Sequence, residues 1–79
     1  MYMRHTVAFK TTTDIKNFAS DMNTFIPDVN IYYGHQVFDA KSIICLMSLQ
    51  LYKTYEVELL SDNKLTQDIF AKIVSKYGG

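Results

Sequence analysis

The chain has 79 residues, of which 48% are apolar, and its eight basic and eight acidic side chains give a formal net charge of zero. A chain of this length is expected to form one domain, so residues 1–79 are assigned to a single domain. The apolar content argues against intrinsic disorder and predicts a packed core. The one cysteine, Cys45, excludes an internal disulfide.

Charge and hydropathy patterning narrow the classes of function. The lysines are scattered along the chain, whereas a nucleic-acid-binding domain carries a basic stripe, so no nucleic acid is expected as a partner. No segment has the apolar length of a membrane span or the layout of a signal peptide, which predicts no membrane insertion and a cytoplasmic location. No His, Cys or Asp residues have metal-ligand spacing, and we predict no metal and no cofactor.

Seven elements are predicted in the order β-α-β-β-α-β-α. In the strands apolar residues alternate with polar ones, whereas in the helices they recur every three or four residues. The predicted bounds are, in chain order, a strand at 3–9, a helix at 14–23, strands at 28–33 and 36–39 joined by a Gly34-His35 turn, a short helix from Ser42 to about Leu49, a strand at 54–60, and a helix from about Thr66 to Tyr77.

Side-chain oxygens predict where the helices begin, since serine and threonine at an N-cap accept hydrogen bonds from free backbone N–H groups. We predict Thr13, Ser42 and Thr66 as the three N-cap residues. Leu65 and Phe70 flank the Thr66 cap with the spacing of a hydrophobic staple. Four strands with helices long enough to cover one face predict a two-layer α+β sandwich, in which another strand can insert between the first two.

Each element is expected to bury one face. Apolar residues with helical or strand spacing define these faces. The predicted buried sets are Met3, His5, Val7 and Phe9 in the first strand, Ile15, Phe18, Ala19 and Met22 in the first helix, Val29, Ile31 and Tyr33 in the second strand, Tyr55, Val57 and Leu59 in the last strand, and Ile69, Phe70, Ile73, Val74 and Tyr77 in the last helix.

The segment "AKSIICLMSL", residues 40–49, opens with a lysine and a serine before an almost wholly apolar run. Residues 41–43 and 46–49 closely resemble the serine motif of HPr, the small phosphocarrier family of the bacterial sugar phosphotransferase system, in its Gram-positive form. The segment from about Phe25 to Tyr77 aligns with that family without an evident gap. The resemblance implies an HPr-like open-faced sandwich, with a four-stranded antiparallel sheet covered on one face by three helices.

The resemblance also implies two phosphorylation sites. One is a histidine at the start of the first helix, inside a Gly-x-His-x-Arg-Pro-like loop. Enzyme I phosphorylates it from phosphoenolpyruvate, and sugar permease components then take the phosphoryl group. The other is the motif serine, here Ser42, which an ATP-dependent kinase phosphorylates for regulation.

The chain departs from the family at the histidine loop, where residues 9–14 read "FKTTTD". This segment has no histidine, arginine or proline. Counting back without a gap places Thr11 at the acceptor position, but a threonine phosphate ester is much harder to transfer onward than a phosphoimidazole. Helix capping accounts for the threonines. A half-buried position in a strand accounts for His5, and a solvated turn accounts for His35.

The apolar run is longer than one face of a two-turn helix needs, and exposed apolar residues indicate a partner surface. We expect Ile44 and Met47 to face outward with Ile43 near the edge, and assign all three to partner binding. Cys45 is expected to be a packed, unreactive thiol. Family members dock on partners through this helix, which makes HPr kinase or a transcriptional regulator the expected partner, and a homodimer is an alternative.

The connection after the serine motif also departs from the family. Gln50 stands where the family usually has a glycine. Two residues later comes Tyr52, which we expect to be exposed and to extend the docking surface.

Three functions stay open. The first, which we favour, is a regulatory protein-binding module of the phosphotransferase-system family that lacks the histidine site, is switched by phosphorylation of Ser42 and serves carbohydrate regulation. The second is a phosphocarrier in sugar transport that uses another acceptor, such as His5. The third is an interaction protein that is not phosphorylated. An enzyme is not expected and no catalytic residue is assigned, because no acid–base pair, glycine-rich loop or nucleophile constellation is present.

Overall fold

The computed structural model describes residues 3–78, and all seven predicted elements are present in the predicted order. Their bounds are β1 (Met3–Ala8), α1 (Thr12–Met22), β2 (Val29–Tyr33), β3 (Gln36–Asp39), α2 (Ile43–Leu46), β4 (Thr54–Leu59) and α3 (Lys64–Val74), which a short 3₁₀ turn (Ser75–Tyr77) follows. No helix within residues 3–78 has the length and hydropathy needed to cross a membrane. The assignment of residues 1–79 to one domain stays a prediction, and its ends lie outside the described residues.

The four strands form one antiparallel sheet in the order β1-β4-β2-β3. The last strand, β4, lies between β1 and β2, as the sequence predicted. Its Val57 pairs with His5 on one side and with Ile31 on the other. The predicted α+β class, with an open four-stranded antiparallel sheet and three helices, is therefore confirmed.

The core lies between the helices and one face of the sheet. Val7, Ile31 and Val57, from three neighbouring strands, have no exposed surface, and neither do Phe18 of α1 and Phe70 of α3. Burying a side chain of this size contributes roughly 1.5–3 kcal/mol, so a few such residues determine which face each element turns inward. Among the described side chains, which do not include that of Met3, the strand alternation predicted these faces correctly, apart from Tyr33, which lies next to the hairpin turn and is 45% exposed.

An aromatic cluster closes the core at the end of the sheet where β1 finishes. Phe9 and Phe18 meet edge to face with ring centroids 5.1 Å apart, and Tyr77 meets the Phe18 ring in the same way at 5.2 Å. The Tyr77 hydroxyl also donates a 2.7 Å hydrogen bond to Oδ2 of Asp21. The C-terminal turn is thereby attached to α1.

Two helix starts differ from the prediction. The N-cap of α1 is Thr11 rather than Thr13, because Oγ1 of Thr11 accepts a 3.1 Å hydrogen bond from the backbone N–H of Asp14. The N-cap of α3 is Asn63 rather than Thr66, because Oδ1 of Asn63 accepts a 2.9 Å hydrogen bond from the backbone N–H of Thr66. Asparagine caps a helix as well as threonine does, so residue type alone does not decide among the competent residues near each helix start.

The earlier start of α3 changes the exposure of two apolar residues. Leu65 becomes the second residue of the helix instead of the residue before its cap, and it is 70% exposed. The predicted staple with Phe70 is therefore wrong. Ile69, which was predicted to be buried, is 46% exposed, whereas Phe70, Val74 and Tyr77 are buried.

The short helix α2 ends at Leu46 rather than Leu49. Beyond Leu46 the backbone continues in tight turns, in which Ser48 and Leu49 donate to the carbonyls of Cys45 and Leu46, three residues back. The Ser48 hydroxyl also donates to the Cys45 carbonyl at 2.6 Å, which favours a turn over a further helical residue.

Candidate functional site

The α2 surface consists of the exposed apolar side chains Ile43, Ile44 and Met47. Their exposed fractions are 38%, 84% and 44%, whereas Leu46 is fully buried. A helix of one turn lying on a sheet can direct only part of its circumference inward, and Leu46 is the residue directed there. These exposures agree with the orientation expected from the sequence, and the binding of a partner at these residues stays a prediction.

Ser42 caps α2. Its Oγ accepts a hydrogen bond from the backbone N–H of Cys45 over 3.4 Å, which is long for such a bond. The residue is half-buried and directly precedes Ile43 of the α2 surface, and the long bond engages its oxygen only weakly. The sequence placed this cap correctly. Whether the hydroxyl is phosphorylated stays a prediction.

The backbone leading into Ser42 is fixed by its neighbours. Nζ of Lys41 donates to the carbonyl of Phe25 at 2.6 Å and to that of Ile26 at 3.3 Å. Nδ2 of Asn23, at the end of α1, donates to the Lys41 carbonyl at 2.8 Å. These bonds attach the start of α2 to the connection between α1 and β2, so the α2 surface has a fixed orientation.

The connection from α2 to β4 is also held in place. The buried Tyr55 is in contact with both backbone groups of Gln50: its hydroxyl accepts from the N–H at 2.8 Å and donates to the carbonyl at 3.2 Å. Farther along, Tyr52 has a φ of 61°, a left-handed conformation that is costly for a residue with a side chain. Its ring is 77% exposed, as the sequence predicted.

The N-terminus of α1 lies where the resemblance places the histidine loop. Here Oδ2 of Asp14 accepts a 3.1 Å hydrogen bond from the backbone N–H of Lys10, while Thr11 accepts from Asp14. Asp14 therefore bonds on both sides of the cap, through its N–H to Thr11 and through its carboxylate to Lys10, the residue before the cap. A negatively charged carboxylate at this helix start opposes an incoming anion.

Neither histidine lies at this helix start. His5 belongs to β1 and meets Phe70 edge to face at 5.6 Å, and its Nε2 is buried without a hydrogen-bond partner in the part of the chain that the structure describes. His35 is exposed in the turn between β2 and β3. Cys45 is a free, half-buried thiol. Among residues 3–78, no group of three His, Cys, Asp or Glu residues is arranged to hold a metal ion.

Sequence reasoning did not predict the hydrogen bonds of three residues that shape this region: Lys41, Asp14 and Tyr55. Lys41 and Tyr55 act through bonds to backbone carbonyls and N–H groups, which no sequence pattern marks. Asp14 had a usable signal, because a threonine followed by an acid three residues later is the pattern of reciprocal capping.

The comparisons with known proteins support the fold. No protein-family model and no curated protein matches the chain. A solved structure of the phosphocarrier protein HPr from Bacillus anthracis is similar with a TM-score of 0.73 and 14% sequence identity, over 96% of both chains. A structure of HPr-C-His from Thermoanaerobacter tengcongensis has a TM-score of 0.70 and 13% identity, over 96% of this chain and 92% of that one. The chain therefore has the fold of HPr phosphocarrier proteins, at low sequence identity.

Proposed function

We propose that the protein is a divergent HPr-like protein-binding module that lacks the histidine carrier site. It binds a partner protein through the α2 surface, and phosphorylation of Ser42 switches that binding. The observation that carries the proposal is the exposure of Ile44. Its side chain is 84% exposed, whereas Leu46 of the same helix is completely buried. An exposed aliphatic side chain beside two further apolar ones, on a fixed backbone, suits a protein partner.

The position of Ser42 supports the switch. Ser42 directly precedes Ile43 of the α2 surface, and within residues 3–78 its hydroxyl oxygen holds one long hydrogen bond, from the N–H of Cys45. A phosphate there adds about two negative charges next to Ile43, which disfavours an apolar contact and favours a basic one. The fixed backbone around Lys41 allows this change of charge without a change of fold.

The start of α1 argues against the phosphocarrier alternative. A carrier site needs a nucleophile and N–H groups free to hold a phosphate, and here the Asp14 carboxylate already accepts from Lys10. His5 is a poor substitute because its Nε2 is buried. His35 is exposed, but it lies in the β2–β3 turn rather than at a helix start.

The experiment measures phosphorylation of the chain by purified HPr kinase in the presence of ATP. The kinase serves both as the modifying enzyme and as the probe of docking. We expect the wild-type chain to be phosphorylated once and the Ser42→Ala variant not at all. Ile44→Lys should slow phosphorylation by tenfold or more, because the charge disrupts docking while the serine is retained. Leu65→Lys changes another largely exposed aliphatic residue, on α3, and should leave the rate unchanged.

Two results would contradict the proposal. Equal slowing by Ile44→Lys and Leu65→Lys would remove the assignment of docking to the α2 surface. Absence of phosphate from every variant would remove the switch and favour the third function, an interaction protein that is not phosphorylated.

A further inference from the structure

A second exposed apolar surface lies on α3 and on the connection between α1 and β2. We call it the α3 patch, and it consists of Ile26, Leu65 and Ile69, which are 96%, 70% and 46% exposed. Neither the docking surface of α2 nor the Ser42 switch uses these residues. The inference drawn from them does not rest on the proposed function.

A groove joins the parts of the α3 patch. It has a volume of about 240 Å³ and is lined by Thr24, Phe25, Ile26, Pro27, Thr66 and Ile69. Leu65 precedes Ile69 by one helical turn and therefore projects from the same side of α3. The patch thus combines an apolar groove with an exposed aliphatic side chain beside it.

The charges beside the patch are self-complementary. Lys64 and Asp68 are both exposed, and within residues 3–78 neither side chain takes part in an ion pair. They are four residues apart, as are Leu65 and Ile69. If two copies of α3 cross antiparallel about a two-fold axis, one alignment places Lys64 next to Asp68 of the second copy and Leu65 next to Ile69 of the second copy.

We propose that the α3 patch is an isologous interface between two copies of this chain. The zero net charge supports a second copy over a strongly charged partner, because no overall repulsion opposes self-association. In this dimer the α2 surface of each copy stays free to bind another protein. The dimer is therefore compatible with the docking function but independent of it.

The test measures the molar mass of the purified full chain by sedimentation equilibrium over a concentration series. We expect a reversible monomer–dimer equilibrium for the wild type. Ile69→Lys should leave a monomer at every concentration, while its circular dichroism spectrum and melting curve show that it is folded. Ile44→Lys, on the α2 surface, is the matched control and should dimerise as the wild type does.

Charge reversal tests the proposed alignment. Lys64→Asp leaves two acidic residues beside the patch, at positions 64 and 68, and Asp68→Lys leaves two basic ones. Like charges then meet across the dimer, so each variant alone should dimerise about tenfold more weakly than the wild type. A mixture of the two variants should form a mixed dimer at least as strong as the wild-type dimer. The double variant, K64D with D68K, should regain wild-type association.

Three outcomes would overturn the proposal. A wild-type chain that stays monomeric throughout the concentration series has no such interface. A dimer that Ile44→Lys abolishes and Ile69→Lys preserves forms through the α2 surface instead. If the mixture of the two charge variants associates no more strongly than either variant alone, the two-fold arrangement is contradicted.

Discussion

The backbone N–H of Tyr52 donates a 2.8 Å hydrogen bond to the carbonyl oxygen of Phe9, which links the connection after α2 to the end of β1. Phe9 is fully buried, so this bond gives the Tyr52 backbone a fixed attachment to the core. Tyr52 adopts a φ of 61° at this point. A left-handed conformation costs a residue with a side chain roughly 1–2 kcal/mol, and the attachment accounts for its persistence.

Replacing Tyr52 by glycine should therefore stabilise the fold slightly. Relief of the left-handed strain outweighs the greater freedom of glycine in the unfolded chain, with a net gain of about 0.5 kcal/mol in the free energy of unfolding. Tyr52→Val should lower that free energy by about 1 kcal/mol, because a β-branched residue tolerates positive φ least. Urea denaturation of both variants measures the difference. Equal stabilities would contradict the strain argument, since both changes remove the same exposed ring.

The start of α1 gives a matched pair of variants. Thr11→Ala removes the side chain that accepts from the Asp14 N–H, and it should lower the free energy of unfolding by about 1 kcal/mol. Thr13→Ala changes a neighbouring exposed threonine inside the first turn and should cost well under half as much. Thermal and urea denaturation of the two proteins compare these costs. A larger loss of unfolding free energy for Thr13→Ala than for Thr11→Ala would show that Thr13 is the N-cap, as predicted from the sequence.

The helix starts illustrate where sequence reasoning failed. Three consecutive threonines are all competent caps, and residue type alone does not show that Thr11 is the one that accepts from the Asp14 N–H. The same ambiguity between Asn63 and Thr66 placed Leu65 outside the helix, in a predicted staple with Phe70. The exposed Leu65 that contributes to the α3 patch was missed for this reason.

The element order and the β4 insertion were predictable, because strand alternation and helical spacing are local patterns. The exposure of the α2 surface was predictable as well, since a short helix cannot bury an entire apolar run. The bonds of Lys41 to the Phe25 and Ile26 carbonyls were not, because they join positions 15 and 16 residues apart through a flexible side chain. Long-range bonds of this kind leave no periodic trace in a sequence.

His5 stands on the core side of β1, and its buried Nε2 has no hydrogen-bond partner among residues 3–78. A buried polar atom without a hydrogen bond costs about 1–3 kcal/mol, so His5→Leu should raise the free energy of unfolding by about 1 kcal/mol, after some loss of ring contact with Phe70. His35→Leu, in an exposed turn, should leave it nearly unchanged. Denaturation by urea measures both. Destabilisation by His5→Leu would show that the imidazole has a structural partner.

Tyr77 in the C-terminal turn makes the stability of the fold depend on pH in the alkaline range. Burial raises the pKa of Tyr77 above its ordinary value, and the hydrogen bond to Asp21 raises it further. The unfolded chain loses this phenolic proton near pH 10, while the folded protein retains it. The unfolded state then binds fewer protons, so the contribution of Tyr77 to stability is complete below about pH 10 and is lost as the pH rises above it.

Tyr77→Phe isolates that contribution. The variant should be less stable at neutral pH by about 1–2 kcal/mol, because it lacks the hydrogen bond to the Asp21 carboxylate. Above about pH 10 its free energy of unfolding should fall less steeply than that of the wild type, so the two curves converge. Denaturation at a series of alkaline pH values measures both slopes. Parallel curves would mean that Tyr77 titrates alike in the folded and unfolded chains.

The most direct test of the proposed function is phosphosite mapping by mass spectrometry on one preparation divided between two reactions. One portion receives enzyme I with phosphoenolpyruvate and the other receives HPr kinase with ATP. We expect no phosphate from phosphoenolpyruvate and one acid-stable phosphate from ATP, on Ser42. An acid-labile phosphate transferred from phosphoenolpyruvate to His5 or His35 would contradict the central claim, because the chain would then carry phosphoryl groups despite lacking the histidine loop.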